Sequence, residues 1–323
     1  MADRTFLEDV ATPYSINATG NARAWETRHL RNDRSIPPLI YVVESDTGQQ
    51  FLLGREISGR PKFNLIRYMA KSFVELFFEH LSGKKLCQYL ILRGAYPFDL
   101  QYAFGYASPY DRLLLPTGFI KLQRILNPEG TDWKVRAENL IGEYQGEIWL
   151  IPDTAIASGS TIAYFLRNSF VRHLPKRVYV IAACGSLEGI QRIYQECQKK
   201  NVELIPVFFE GLLEVSKVGN LPRLPLTDLS MISPGSITTK QLYEKAFHRY
   251  RGTRMCCVGD MEESLEDPVN YSIHTLWEMQ ILGMDPEKED WDAWTIDVRT
   301  EEMKKKISHF NPSLAEYFKD LWK

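Results

Sequence analysis

A short stretch of the chain places an acidic residue and several small or hydroxyl residues between an apolar run and the start of a helical pattern. It spans Ile151–Ile162 and reads I-P-D-T-A-I-A-S-G-S-T-I. The apolar run Ile148–Ile151 predicts a buried strand, and the apolar spacing that follows predicts a helix. The segment Ala157–Thr161 would then present consecutive amides at the positive end of a helix dipole, where a phosphate monoester fits. The alternative is a plain N-cap, with the hydroxyl of Ser158 or Ser160 satisfying the first turn.

Asp153 stands at the expected tip of this central strand. A carboxylate at that position lacks an obvious structural partner, and its oxygens can accept hydrogen bonds from the vicinal hydroxyls of a sugar. The sequence contains no G-x-x-x-x-G-K-[ST] and no G-x-G-x-x-G after a strand. Sites for nucleoside triphosphates and dinucleotides are therefore disfavoured.

Strand-like and helix-like segments alternate through the middle of the chain. Short apolar runs predict strands, and apolar residues at helical spacing predict helices. In chain order these are a strand at 39–43, a helix at 62–80, strands at 88–93 and 148–151, a helix at 160–173, a strand at 178–183, a helix at 187–199 and a strand at 202–208. This alternation predicts an α/β fold with a parallel sheet. The run 118–126 alternates partly and carries cations, which predicts an exposed β-arm.

The opening stretch resembles the ribose-5-phosphate loop of the type I phosphoribosyltransferases. That loop has an acidic residue, a variable or acidic residue, two apolar residues and then A-[ST]-G-x-[ST]. The match is continuous and consists of Asp153, Thr154, Ala155, Ile156, Ala157, Ser158, Gly159, Ser160 and Thr161. Thr154 stands where many members have a second acidic residue.

Further matches lie along the chain in the family's order and resemble the uracil phosphoribosyltransferase branch. The run I-L-R-G-A, which holds Arg93, Gly94 and Ala95, is similar to that branch's diphosphate loop. Residues 118–124 are similar to its flexible arm, with Arg124 at the matching place. The segments 210–212 and 258–260 are similar to parts of its base pocket.

The resemblance implies a Rossmann-like parallel-sheet core with a β-arm at 58–265, including an insertion near 224–254. It leaves an N-terminal segment, 1–57, and a helical C-terminal extension, 266–323. The implied activity transfers ribose 5-phosphate from phosphoribosyl diphosphate to a nitrogenous base. Phosphoribosyl diphosphate and the base are the implied small-molecule partners, and a homodimer is the implied assembly.

Each predicted site residue has a role implied by the resemblance. Asp153 and Arg124 are the catalytic candidates, and the phosphoribosyl diphosphate site comprises Arg93, Gly94, Ala95, Arg124, Asp153, Thr154, Ala157, Ser158, Gly159, Ser160, Thr161 and Asp260. The base site comprises Gly211, Gly259, Asp260 and Met261. The implied cofactor is Mg²⁺, bound through the substrate, with Asp260 as a candidate to reach it through water.

The chain departs from the family pattern around the base site. Gly259-Asp260 is followed by Met261-Glu262-Glu263, so a second Gly-Asp and an Arg are missing. The acceptor could be uracil-like or a specialised base. A second hypothesis is a non-catalytic protein that senses phosphoribosyl diphosphate or a nucleotide.

Charge and composition limit the other partners. Lys and Arg number 39 and Asp and Glu number 41, so the net charge of -2 gives no field that would attract nucleic acid or an anionic membrane. No run of 18 apolar residues predicts a membrane span, and the acidic N-terminal stretch is unlike a signal peptide, so we expect a cytoplasmic location. The five cysteines include no C-x-x-C pair, which disfavours zinc and disulfides.

Overall fold

The structure is a computed structural model of the chain. It describes residues 11–16, 20–28, 34–53, 57, 59–92, 95, 97–107, 115–126, 133–142, 145–213, 216–218, 221–223, 241, 301–310, 312–317 and 319.

These residues form strands and helices that alternate through the middle of the chain. The strands are β1 (Ala11–Ile16), β2 (Ala22–Arg28), β3 (Leu39–Ser45), β4 (Leu86–Leu92), β5 (Thr117–Leu126), β6 (Trp133–Ile141), β7 (Ile148–Ile156), β8 (Arg177–Ser186), β9 (Glu203–Phe209), β10 (Leu212–Leu213), β11 (Ser216–Val218) and β12 (Leu221–Arg223). The helices are α1 (Asp46–Leu53), α2 (Gly59–Leu81), α3 (Leu100–Ala107), α4 (Ser160–Ser169), α5 (Leu187–Gln198), α6 (Glu301–Phe310) and α7 (Pro312–Tyr317).

One large mixed sheet organises the described residues. Its strands lie in the order β1-β2-β3-β9-β8-β7-β4-β5-β6, and β10 pairs with the end of β8. From β3 to β5 every neighbouring pair is parallel, whereas β1, β2 and β6 are antiparallel additions at the two edges. The predicted fold class, α/β with a parallel sheet and a β-arm, is confirmed, and the arm is the β5–β6 hairpin.

Helices cover both faces of this sheet. Buried residues of α1, α2 and α3 pack with Leu150 and Tyr179 on one face. Buried residues of α4 and α5 pack with Trp149, Ile151 and Val180 on the other face. The alternation of side chains along β7 and β8 therefore feeds two separate apolar layers, as a sheet buried on both faces requires.

Strand β7 is longer than the apolar run that predicts it. The run at 148–151 is only the first half of β7, which continues to Ile156 because its backbone keeps pairing with β8, Asp153 with Ala182 and Ala155 with Cys184. The strand predicted at 39–43 is present as β3, and it pairs in parallel with β9. Residues of the segment 1–57 therefore share the main sheet with the residues that follow.

Helices α4 and α5 are joined by a carboxylate in their common interface. Glu196 is 5% exposed and accepts from Arg167 at 2.7 Å and from Lys199 at 2.9 Å. Burial acts to raise the pKa of Glu196, but the hydrogen bonds from the two cations outweigh it and hold the pKa below its usual value of 4.5. The ionised form is thus the form that the folded state favours.

Replacing Glu196 with Gln should destabilise the protein in a pH-dependent way. A lowered folded-state pKa contributes stability that is present above pH 4.5 and is lost as pH falls through the folded value. We expect a loss of about 1–2 kcal/mol at neutral pH that narrows in acid. Denaturant unfolding at a series of pH values measures it, with Glu188→Gln, an exposed position on the same helix, as the control. A penalty that stays constant down to pH 3 would contradict this account.

Candidate functional site

The path of the chain changes direction between β4 and β7. Helix α3, which follows β4, packs on one face of the sheet, and α4, which follows β7, packs on the other. The strand order therefore reverses direction between these two neighbours, which makes the carboxyl edge beside them a topological switch point. Such a switch point is where open parallel sheets bind ligands. The two loops with phosphate-like sequence patterns, at 93–95 and 157–161, follow these two strands.

The connection from β7 to α4 is very short and ends in an open helix terminus. Only Ala157, Ser158 and Gly159 separate the two elements, and Gly159 is the N-cap of α4 with φ 65° and ψ 0°. No side chain caps the helix; the hydroxyls of Ser158 and Ser160 lie 3.1 Å apart and bond to each other instead. The plain serine N-cap, the alternative to a phosphate site, is therefore not what the structure shows.

Two other helices at the same edge of the sheet are capped by serine. The hydroxyl of Ser45 accepts from the Gly48 amide at 3.0 Å in α1, and that of Ser186 accepts from the Gly189 amide at 2.9 Å in α5. The first turn of α1 also receives the buried carboxylate of Glu210, which accepts from the Ser45 amide at 2.7 Å. Of these three helix starts, α4 alone has no side-chain cap.

The phosphate-like loop lies directly on the first turn of α5. A Cβ added to Gly159 would meet the Gly189 carbonyl oxygen at 2.2 Å, and one added to Gly189 would meet the Ala157 carbonyl oxygen at 2.5 Å. Both positions must be glycine for the two backbones to approach so closely. Gly189 and Ser186 contact this loop, and reading the loop motif alone does not identify them, although S-x-x-G after a strand is a visible signal.

Asp153 lies in the second half of β7, before the loop that starts at Ala157, and its side chain is half-buried. Its Oδ1 accepts from the amide of Thr154 at 2.7 Å, so the expectation that it lacks a structural partner is wrong. This bond fixes the carboxylate at the end of β7. Thr154 is 1% exposed, so its side chain lies in the interior. Its backbone carbonyl accepts from the thiol of Cys184 at 3.7 Å.

The remaining predicted residues are only partly described. The amide of Ala95 donates to the carbonyl of Ile91 at 3.1 Å. The backbone of Arg124 pairs with Val135 in the arm, and its side chain is not described. Arg93, Gly94, Gly259, Asp260 and Met261 lie outside the described residues.

Gly211 lies where β9 bends into β10. Glu210, just before it, has a positive φ of 65°, and the Gly211 amide donates to the carbonyl of Phe209 at 2.8 Å. The amide of Gly211 is thus already used within the chain.

No protein-family model and no curated protein matches the chain. Among solved structures it is similar to the APRTase of Giardia lamblia complexed with 9-deazaadenine, at 13% identity and a TM-score of 0.31 over 46% of this chain and 80% of that chain. It is similar to orotate phosphoribosyltransferase from Aeropyrum pernix, at 15% identity and a TM-score of 0.28 over 46% and 71%. It is also similar to a mutant hypoxanthine phosphoribosyltransferase from Trypanosoma cruzi complexed with the product IMP, at 18% identity and a TM-score of 0.28 over 41% and 68%.

No helix among the described residues combines the length and apolar character needed to cross a membrane. Within that same part of the chain, no three His, Cys, Asp or Glu side chains are grouped as a metal site.

Replacing Gly159 with Ala should disrupt the loop far more than a backbone angle alone would. Gly83 is a matched control, because it has a similar φ of 69° but nothing within 4 Å of an added Cβ. We expect Gly83→Ala to cost about 1–2 kcal/mol of unfolding free energy, and Gly159→Ala to cost at least about 3 kcal/mol since a backbone contact is also broken. Denaturant unfolding measures both. Equal losses of unfolding free energy in the two variants would mean that the contact between Gly159 and α5 does not contribute to stability.

Proposed function

We propose that this protein is a phosphoribosyltransferase that transfers ribose 5-phosphate from phosphoribosyl diphosphate to a nitrogenous base and releases diphosphate. One observation carries the proposal: the N-terminus of α4 is without a side-chain cap at the switch point of the sheet, and a fixed carboxylate, Asp153, precedes it. The motif that occupies this place is the one that resembles the ribose-5-phosphate loop.

The loop Ala157–Thr161 would anchor the 5-phosphate. Small side chains let an anion approach the backbone, the helix dipole favours its charge, and the hydroxyls of Ser158 and Ser160 can turn from each other to the phosphate oxygens. An anion at this position would replace the cap that the sequence does not supply.

Asp153 would manage the sugar. In the reaction the bond from the anomeric carbon to diphosphate breaks, and its electron pair leaves on the diphosphate oxygen. The lone pair of a base nitrogen forms the new bond to that carbon, and this nitrogen then releases its proton to solvent. The sugar gains positive charge between these events. A carboxylate that accepts from both ribose hydroxyls stabilises that charge, and the bond from the Thr154 amide holds it in place beforehand.

The leaving diphosphate needs cations. Arg93, Gly94 and Ala95 after β4, and Arg124 on the arm, are the proposed contacts, with Asp260 and the segment Gly259–Met261 toward the base. The Mg²⁺ in this proposal is carried by the substrate's diphosphate and neutralises it when bound. The substrate's own oxygens are hard donors of the kind that Mg²⁺ prefers, and Asp260 is the residue proposed to reach the ion through water.

The acceptor is proposed to be a uracil-like or specialised nitrogenous base. A homodimer in the cytoplasm remains part of the proposal, on the sequence expectations alone. No partner nucleic acid or membrane is proposed.

The experiment combines purified protein with Mg²⁺, phosphoribosyl diphosphate and a panel of pyrimidine, purine and other nitrogenous bases, and measures released diphosphate. We expect base-dependent release with at least one acceptor. Binding of phosphoribosyl diphosphate is measured in parallel by calorimetry. Tight binding without turnover would favour the non-catalytic sensor, and the absence of both would refute the proposal.

Replacing Asp153 with Asn should affect turnover much more than binding. Asn keeps the size of the side chain and one acceptor oxygen, but it removes the negative charge that faces the developing positive charge. We expect kcat to fall by about 100- to 1000-fold while the Kd for phosphoribosyl diphosphate changes less than about tenfold. Asp46→Asn is the control, because Asp46 is an exposed carboxylate at the carboxyl edge of the same sheet. Equal losses in kcat and Kd would remove Asp153 from its proposed role.

A further inference from the structure

We propose that Ser186 is a positioning residue for the phosphate loop, acting from the neighbouring strand by orienting the peptide that links Ala157 to Ser158. This inference rests on the proposed function and deepens it, because it names what holds the anion site in shape. Ser186 belongs to β8 and the start of α5, outside the loop motif.

The hydroxyl of Ser186 both accepts and donates a hydrogen bond. It is fully buried, its oxygen accepts from the Gly189 amide at 2.9 Å, and its proton is donated to the carbonyl of Ala157. The Ala157 carbonyl thus sets the direction of the proton, and the Gly189 amide occupies an acceptor position of the same oxygen. Ser186 thus links the first turn of α5 to the loop by one continuous hydrogen-bonded path.

This path decides which way the next amide points. In a trans peptide the carbonyl and the following N–H lie on opposite sides of the bond. Holding the Ala157 carbonyl toward α5 therefore directs the Ser158 N–H away from α5. Within the described part of the chain, that amide has no protein acceptor. It is left to face an external anion.

The same hydrogen bonds also keep the Ala157 carbonyl oxygen away from the anion site. If the Ala157 peptide rotated, its carbonyl oxygen would turn toward the start of α4 and repel an anion there. The bond from Ser186 opposes that rotation, and a chain of hydrogen bonds polarises each member, which makes the Ser158 amide a better donor. The close contact of Gly159 and Gly189 leaves no space for the loop to adjust in another way.

A second serine in the protein provides a matched comparison. Ser45 ends β3, is buried, and caps α1 by accepting from the Gly48 amide at 3.0 Å. A Cβ added to Gly48 would meet the carboxylate of Glu210, the residue that follows β9. The hydroxyl of Ser45 makes a contact with Thr47 but none with Ala157. Ser45 therefore shares the capping role of Ser186 without the link to the phosphate loop.

The test compares Ser186→Ala with Ser45→Ala. Each removes a cap, and we expect each to cost about 1 kcal/mol of unfolding free energy. Only Ser186→Ala should also raise the Kd for phosphoribosyl diphosphate and for inorganic phosphate, by about five- to tenfold, the range expected for one lost hydrogen bond. Isothermal calorimetry, at a temperature where both variants are folded, measures the difference.

Kinetics separate positioning from a merely structural defect. Phosphate anchoring is the same in the ground state and the transition state, so Ser186→Ala should raise KM for phosphoribosyl diphosphate with little change in kcat. A partly unfolded variant would show lower kcat with unchanged KM. Ser186→Thr, which retains the hydroxyl, should restore KM toward the wild-type value.

Gly189→Ala tests the same path without touching the hydroxyl. The added Cβ would lie 2.5 Å from the Ala157 oxygen and must displace that peptide, so phosphate affinity should fall as in Ser186→Ala. Wild-type affinity in both variants, with ligand binding intact in the wild type, would overturn the positioning role alone. A wild-type protein that binds neither phosphoribosyl diphosphate nor phosphate would overturn the proposed function itself.

Discussion

The architecture depends on the position of β7 between β4 and β8. Parallel pairing on both sides of this strand joins the part of the sheet that carries the arm to the part that carries β3 and β9. The helix that follows β4 and the helix that follows β7 pack on opposite faces of the sheet. The switch point is thus a consequence of strand order, and the end of β7 lies beside it.

Two of the three helices that start at the carboxyl edge after β3, β7 and β8 are capped by a serine, and the third is not. After β3 and after β8 a buried serine caps the next helix, and a glycine in the first turn lets a neighbouring strand end lie against the backbone. After β7 the helix starts at Gly159, and neither serine beside it serves as a cap. Of these three helix starts, the one at the end of β7 is therefore the one whose first-turn amides receive no side-chain cap.

Local pattern was sufficient for several central strands, the helices packed beside them and the loop of the candidate site, but it did not indicate β1, β2, β6, α1 or α3. Apolar runs indicated β4, β8 and β9, and helical spacing indicated α2, α4 and α5, because burial on two faces leaves a direct trace in composition. The second half of β7 left no such trace. Pro152 and Asp153 interrupt the apolar run, and only the continued pairing with β8 extends the strand to Ile156.

By itself the sequence determined the α/β class, the parallel sheet and the presence of a phosphate-like loop after a central strand, since these depend on periodicity and on residues adjacent in the chain. Tertiary structure decided which helix starts are capped, that Asp153 is held by the Thr154 amide, and that Ser186 reaches a carbonyl 29 residues before it. It also decided that β3 joins the main sheet beside β9. These contacts join segments that are distant in sequence or depend on one peptide's orientation, and neither kind of information is present in a local pattern of residue types.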